Sequence, residues 1–335
     1  SPSMFYNFVT GRWEAGVNAG TIYYVSTAGN DAYNGLSVGA ALRTIGAAFA
    51  RAGAGDAIRV LPGTYSESVR VENRSSPGSP ITLTGWNGRP VLDGLNRFSL
   101  GLYFDGCSEL AIDNIEIRGF TDIGVGMRAS SNVAIRNTSV HHNGASAQLV
   151  DWMIEGYGID AQESSAIAIE NNDVYANGPY PPVFPDRLLG TGINTFGLTD
   201  SAIRGNKSHH NHGGGILVED GVNVLVEDNE VFQNDLDASA DQWWDGGLWL
   251  DGGRDVVVRN NVFWGNLGPG MQVSDEERLH PTGYVLENNV STNNYYGIYV
   301  WGFGTTTWPS EYILRQSNNR FSGNSRGDVW IETGE

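Results

Sequence analysis

A short segment that begins with glycine recurs along most of the chain, and its spacing constrains the fold more than any other feature. The copies are GLYFDG at 101, GVGMRA at 124, GIDAQE at 158, GINTFG at 192, GILVED at 215, GLWLDG at 247, GMQVSD at 270 and GIYVWG at 297. They are separated by 23, 34, 34, 23, 32, 23 and 27 residues. The base period is therefore near 23, with insertions before the third, fourth, sixth and last copies.

A second strand-like segment follows the copies and carries its own aligned columns. Its last apolar position holds Ile135, Ile169, Ile203, Val226, Val258, Leu286 and Leu314. The next position alternates in charge: Arg136, Glu170, Arg204, Glu227, Arg259, Glu287 and Arg315. If successive repeats lie about 4.8 Å apart, this column is a ladder of opposite charges. Stacked asparagines at a bend are expected at Asn143, Asn177, Asn211, Asn234, Asn266, Asn294 and Asn324.

Short strands that stack on their own copies predict an all-β fold, a right-handed single-stranded parallel β-helix, or solenoid. Residues Thr44 to Ala52 have apolar positions at helical spacing and predict a short capping helix over the open N-terminal end. We expect a single β-helix domain over residues 1–335. The N-terminal cap and first coils would occupy 1–100, and the regular coils with their insertions 101–325.

The opening YYVSTAGND, NGLS and TIGAAFARAGAGDAIRVLPGTY segments, followed by stacked coils, resemble the pectate-lyase-like right-handed parallel β-helix superfamily. The resemblance covers nearly the whole chain and implies the same fold. That superfamily contains polysaccharide lyases, glycoside hydrolases, C5-epimerases and non-catalytic tail proteins, so the resemblance leaves the reaction open.

The amino-acid composition limits the classes of molecule that the protein can bind. A formal charge of −18 over 335 residues argues against nucleic acid, which requires clustered Lys and Arg. No apolar run is long enough to cross a membrane. The single cysteine, Cys107, allows no internal disulfide and is expected to be a buried thiol. We expect a monomeric secreted protein, extracellular or periplasmic, whose export signal has been removed and whose partner is a polysaccharide or oligosaccharide.

Alternation along each glycine segment divides its side chains between the interior and one outer face. One predicted outward column contains Tyr103, Gly126, Asp160, Asn194, Leu217, Trp249, Gln272 and Tyr299. The other contains Asp105, Arg128, Gln162, Phe196, Glu219, Asp251, Ser274 and Trp301. Aromatic rings beside acids and amides are typical of a sugar-binding surface.

The insertions are expected to stand beside this face as walls, since long loops on a rigid scaffold are commonly functional. They carry Trp152, Tyr157, Tyr180, Phe184, Asp186, Asp237, Asp241, Trp243, Trp244 and Asp245, with Trp308 after the last segment. The alternative is that they are surface loops whose tryptophans pack locally.

Glu219 and Asp251 fall at the same position of consecutive repeats and are the leading catalytic pair. Two close carboxyl groups raise one another's pKa and supply an acid beside a base. This pattern favours a glycoside hydrolase. The assisting acids are predicted to be Asp220, Asp245 and Asp160. The predicted substrate-binding residues are Arg128, Tyr157, Gln162, Asn194, Trp243, Trp244, Trp249, Gln272 and Trp301.

Two other functional classes stay open. A lyase or C5-epimerase acting on a uronate polymer could hold the substrate carboxylate with Arg128. The segment YGIDAQE at 157–163 is similar to the Tyr-Gly-x-Asp-Pro-His motif of alginate C5-epimerases, but Ala161 and Gln162 replace its Pro and His. The only lysine, Lys207, lies outside the outward columns. The third class is a non-catalytic carbohydrate-binding β-helix.

Cofactor expectations follow from the same residues. We expect no required cofactor, with Ca²⁺ as the cation that acids of different coils could hold. The histidines near His141 and His209 are expected to pack at a coil corner, because the equivalent positions of other coils hold Tyr175, Phe232 and Trp264.

Overall fold

Each regular coil of the chain contains three short strands, and equivalent strands of successive coils pair in parallel to build three sheets. The computed structural model describes residues 4–7, 12–15, 20–145, 154–179, 188–235 and 245–334. A coil runs from sheet I through sheet II to sheet III and then into sheet I of the next coil. The predicted parallel β-helix is therefore confirmed.

The strands of sheet I contain the glycine segments. They are Val69–Glu72, Leu100–Asp105, Ile123–Arg128, Tyr157–Gln162, Ile193–Phe196, Ile216–Glu219, Leu248–Asp251, Met271–Ser274, Tyr296–Trp301 and Gly327–Ile331. The strands of sheet II are Ile22–Val25, Ala57–Val60, Ile81–Gly85, Ser108–Asp113, Ser131–Arg136, Ser165–Glu170, Thr199–Arg204, Val222–Glu227, Arg254–Arg259, Tyr284–Glu287 and Leu314–Ser317.

Sheet III has the shortest strands. They are Thr64–Tyr65, Val91–Asp93, Glu116–Arg118, Ser139–His141, Asp173–Tyr175, Lys207–His209, Glu230–Phe232, Val262–Trp264, Val290–Thr292 and Arg320–Ser322. Outside the three sheets, Met4–Asn7 pairs antiparallel with Arg12–Ala15, and Ile154–Glu155 pairs parallel with Leu188–Leu189.

The α-helix Ile45–Arg51 covers the N-terminal end as predicted, and a 3₁₀ turn at Val38–Ala40 precedes it. Thr44 begins it, because its side-chain oxygen accepts a hydrogen bond from the amide of Ala47 at 3.1 Å. Its apolar face, with Ile45 and Phe49, is buried in the core. The helix thus shields the first strands from solvent.

The interior is filled by the inward positions that the alternation predicts. The first and third residues after each repeat glycine are all buried, from Leu102 and Phe104 to Ile298 and Val300. Fully burying an aliphatic or aromatic side chain contributes about 1.5–3 kcal/mol. This continuous core holds the outer face of sheet I in place.

Two asparagine ladders run along the corners on either side of sheet III. In each, an asparagine donates from its backbone and side-chain amides to Oδ1 of the asparagine one coil further on. The predicted ladder contains Asn143, Asn177, Asn211, Asn234, Asn266, Asn294 and Asn324. A second ladder, which we did not predict, contains Asn172, Asn206, Asn229, Asn261, Asn289 and Asn319.

The alternating charge column on sheet II is confirmed except at its last member. Arg204 lies 3.1 Å from Glu170, and Arg259 lies 2.7 Å from Glu227. Glu287, however, pairs with Ser317 rather than with Arg315, so the predicted register of the last coil is wrong by two residues. A shift of two keeps Leu314 pointing inward, where it meets the buried Tyr284, and so preserves the hydrophobic pattern.

Candidate active site

Glu219 and Asp251 are directly paired residues on neighbouring strands of sheet I. Phe196 precedes them in the same column and Ser274 and Trp301 follow, as the repeat alignment predicts. The second outward column is also in register, with Asn194, Leu217, Trp249 and Gln272 side by side. We call the surface made by these two columns the groove face.

Asp251 is held by hydrogen bonds from one side. The hydroxyl of Ser274 donates to its Oδ1 at 2.5 Å, and the amide of Glu276 donates to the same atom at 3.1 Å. Ser274 in turn accepts a 2.7 Å hydrogen bond from the indole N–H of Trp249. Burial raises the pKa of Asp251, while the hydrogen bonds from Ser274 and Glu276 oppose that rise and favour the ionised form.

Glu219 has a different environment. Burial raises its pKa to about 7, and the negative charges of Asp251, Asp220, Glu276 and Glu277 add to the rise. Near neutral pH, Glu219 therefore retains a proton in part of the population, whereas Asp251 has hydrogen-bond donors that favour its charge. Two neighbouring carboxyl groups with different proton affinities can act as an acid and a base.

A second polar cluster lies two coils earlier on the same face. Asp160 accepts hydrogen bonds from the side-chain amides of Asn194 at 2.8 Å and Gln162 at 3.1 Å. Burial raises its pKa to about 6 despite these bonds. The Tyr157 pKa is raised by burial and then by the carboxylates of Glu155, Asp160 and Glu219.

Asp245 is displaced from the predicted site. It lies buried at the corner between sheets III and I, outside both outward columns. Burial raises its pKa to about 6, and the nearby amide of Gly214 and side chains of Asp235 and Thr191 oppose that rise. Its carboxyl group is enclosed by this corner and lies off the two outward columns, and its assisting role in catalysis stays a prediction.

The predicted tryptophans lie in different environments. Trp249 is only 5% exposed and its N–H donates to the hydroxyl of Ser274, which it positions, while its contact with a sugar stays a prediction. Trp308 packs against the core. Trp301 is half-buried at the end of its column. Trp152, Tyr180, Phe184, Asp186, Asp237, Asp241, Trp243 and Trp244 lie outside the described residues.

Two long loops from sheet I to sheet II, residues 275–283 and 302–313, border the groove face at its C-terminal end. They enclose a cavity of about 550 Å³ with Trp301 in its wall. The shorter insertion that we placed before the last glycine segment is therefore on the opposite side of sheet I from the other three.

Arg128 lies at the opposite end of the groove face. Its side chain is exposed and forms a 3.3 Å ion pair with Glu163, so its charge already has a partner. Lys207 is on sheet III, away from this face, 3.7 Å from Glu230. Neither arrangement brings a free basic group to the Glu219 and Asp251 pair.

The histidines form part of a ring stack along the outside of sheet III. The successive centroid distances from His141 through Tyr175, His209 and Phe232 to Trp264 are 4.6, 5.1, 4.6 and 4.5 Å. The rings are parallel within 10°. This is the expected packing at a coil corner.

In the part of the chain that the structure describes, no group of three or more His, Cys, Asp or Glu side chains is placed to hold a metal ion. Calcium binding thus stays a prediction. No helix within the described ranges is long and apolar enough to cross a membrane.

Comparison with known families agrees with this architecture. The family model for a right-handed beta helix region matches residues 87–182 and 150–325, more than half of the chain. The chain belongs to the right-handed β-helix family. No curated protein matches its sequence.

Solved structures with a similar fold to this β-helix include two lyases and a glycosidase. Pectate lyase Pel9A has 20% identity and a TM-score of 0.60, with 94% of this chain and 80% of that chain covered. An alginate lyase from Paenibacillus sp. str. FPU-7 has 17% identity and a TM-score of 0.64, covering 86% and 96%. The GH136 lacto-N-biosidase from Eubacterium ramulus has 13% identity and a TM-score of 0.53, covering 94% and 67%. At these identities the likeness establishes the fold alone.

Three residues of the β-helix site were not singled out from sequence. Ser274 was in the outward column directly after Asp251, so its contact was available from the alignment. Glu276 contributes through its backbone amide, which no residue-type pattern reveals. Glu155 forms a hydrogen bond with Tyr157 and belongs to an insertion that lies outside the aligned columns of the repeat.

Proposed function

We propose that this β-helix protein is a secreted glycoside hydrolase that cleaves a polysaccharide or oligosaccharide lying along the groove face. The observation that carries the proposal is the pairing of Glu219 with Asp251 in environments that separate their proton affinities. Glu219 is the proton donor, and Asp251 is the nucleophile.

The spacing of the pair supports a retaining reaction. Neighbouring strands lie about 4.8 Å apart, and retaining enzymes hold their carboxyl groups about 5–5.5 Å apart. Glu219 donates its proton to the glycosidic oxygen while Asp251 attacks the anomeric carbon, and the aglycone leaves. Glu219 then takes a proton from water, whose oxygen attacks the anomeric carbon and releases the Asp251 carboxylate. One water is consumed for each bond cleaved.

A lyase or C5-epimerase acting on a uronate polymer is the second candidate. It is favoured by two similar folds that belong to a pectate lyase and an alginate lyase, and by Arg128 on the groove face. Such enzymes must neutralise a substrate carboxylate and remove a proton from the adjacent carbon. Glu219 and Asp251 instead lie among Asp220, Glu276 and Glu277, which disfavour a bound carboxylate. The hydrolase is therefore the stronger proposal.

One assay separates the possible activities. The full chain is incubated with neutral and acidic polysaccharides, and reducing ends, absorbance near 235 nm and C5 configuration are followed together. Hydrolysis produces reducing ends without absorbance, a lyase produces both, and an epimerase changes only the configuration. Binding without any of these changes would identify a non-catalytic carbohydrate-binding protein. Proton NMR of the first product supports retention if the original anomer appears first.

A further inference from the structure

The loop that starts at Asp275 contacts Asp251 and also lines the cavity between the loops 275–283 and 302–313. Asp275 and Glu276 line the cavity, and the amide of Glu276 donates to Asp251. Trp301, also in the wall, is two strands from Asp251 in the same column. Two strand spacings are about 10 Å, which a short oligosaccharide bound at the acid pair can span.

We propose that this cavity is a binding subsite for an uncharged sugar unit of the substrate. Its volume of about 550 Å³ is within the range of small-molecule sites. Trp301, Phe303 and Tyr312 supply aromatic surface, on which the apolar faces of sugar rings pack. The position of the cleaved bond rests on the proposed hydrolysis, but binding in the cavity does not.

Charged side chains of both signs line the cavity, so an ionised sugar of either sign would meet a like charge there as well as an opposite one. A uronate carboxylate would meet Asp275 and Glu276, with Glu277 next in the chain. The ammonium group of an amino sugar would meet Arg278, and His280 when that ring is protonated. An uncharged pyranose avoids both penalties and still finds hydroxyl partners such as Ser310.

The test uses Trp301→Ala, Trp301→Phe and Tyr312→Ala, each in a Glu219→Gln background so that turnover does not obscure binding. Tyr33→Ala, an exposed aromatic position in the N-terminal part of the chain and outside the cavity, is the matched control. Calorimetric titration uses cello-, xylo-, manno- and galacto-oligosaccharides, oligogalacturonates and chitosan oligosaccharides of two to six units. Because Tyr312 is 76% exposed, its variant is expected to fold even if a Trp301 variant does not.

We expect a neutral oligosaccharide to bind best, with Kd raised about tenfold or more by Trp301→Ala. Tyr312→Ala and Trp301→Phe should raise Kd less, and Tyr33→Ala should leave it unchanged. The proposal is overturned if no neutral oligosaccharide binds, if an acidic or amino oligosaccharide binds more tightly, or if neither Trp301→Ala nor Tyr312→Ala weakens binding. If binding depends on Trp301 but the wild-type protein does not hydrolyse the bound sugar, the subsite stands and the hydrolase proposal fails.

Discussion

The hydroxyl of Ser274 donates a 2.5 Å hydrogen bond to Oδ1 of Asp251, and the indole of Trp249 fixes that hydroxyl from the other side. Because Ser274 accepts from Trp249, its own proton is directed to Asp251. This places a buried carboxylate in one orientation beside Glu219, whose surroundings keep it partly protonated. The contrast between these two carboxyl groups underlies the predictions for activity.

Glu219→Gln should lower kcat by about 10²–10⁴-fold, the usual contribution of a general acid. The amide has nearly the same shape but has no acidic proton to donate to the glycosidic oxygen. Reducing-end release measures the effect. Glu287→Gln, on sheet II away from the groove face, is the matched control and should keep wild-type activity. Equal activity of the two variants would remove Glu219 from the mechanism.

The same substitution should change how stability depends on pH. The folded-state pKa of Glu219 is raised to about 7, so ionisation destabilises the fold as pH rises from its unfolded value towards 7. Glu219→Gln removes this penalty. Its melting temperature relative to wild type should therefore be higher at pH 8 than at pH 4.5. A difference that is independent of pH in thermal scans would contradict the raised pKa.

The pH dependence of kcat/KM should fall on the alkaline side near pH 7, where Glu219 loses its proton. Asp220→Asn removes one of the negative charges that raise the pKa of Glu219, so this alkaline limb should move to lower pH. The maximum rate should change only a few-fold. A large loss of maximum rate with an unmoved limb would instead make Asp220 a catalytic residue.

Ser274→Ala should lower kcat by about 10–100-fold, because a hydrogen bond to a charged group contributes about 1.5–3 kcal/mol. Loss of the donor also raises the pKa of Asp251, so the acid limb of the rate profile should shift to higher pH. A purely structural role would lower the melting temperature without moving that limb. Trp249→Phe removes the indole N–H that donates to the hydroxyl of Ser274. It should also lower kcat and shift the acid limb to higher pH, but by less than Ser274→Ala.

Asn261→Ala should lower the free energy of unfolding by about 3 kcal/mol, since it leaves several buried hydrogen-bonding groups without partners. Asn261 donates to Asn289 and Val226 and accepts from Asn229. Asn319→Ala, at the half-buried end of the same ladder, should cost about 1 kcal/mol. Urea unfolding measures both, and equal losses would show that the ladder does not act as a buried network.

The repeating part of the molecule could be predicted because the spacing of the repeats and the burial of the same positions in each repeat require the same strand register. Each glycine segment must bury its first and third side chains, so a one-residue slip would expose residues such as Leu250. This requirement places Glu219 beside Asp251 without knowledge of the coordinates. The same argument failed at Arg315, because a slip of two residues leaves the inward pattern intact and only the strand pairing distinguishes the registers.

The remaining parts of the site depend on contacts between residues that do not recur at the spacing of the sequence repeat. Asp245 follows an insertion, and its burial with Asp235 arises from the geometry of one corner. The residues of the second asparagine ladder, such as Asn261 and Asn289, stand two positions after the alternating charge column in the aligned segments. We interpreted that part of the repeat only for its charges. The cavity at Trp301 requires two loops of unrelated sequence to approach one another, which alignment of the repeats cannot predict.

From Asn172 onward, the two asparagine ladders offer successive coils the same pair of attachment points, whether the coil is 23 residues long, as from Asn206 to Asn229, or 32, as from Asn229 to Asn261. The length of the loops in a coil therefore does not affect how that coil stacks on its neighbours. A protein built in this way can gain or lose a whole turn and so lengthen or shorten the stretch of glycan it covers, while the chemistry at one turn is left untouched. Substrate reach and catalysis can then evolve as independent traits.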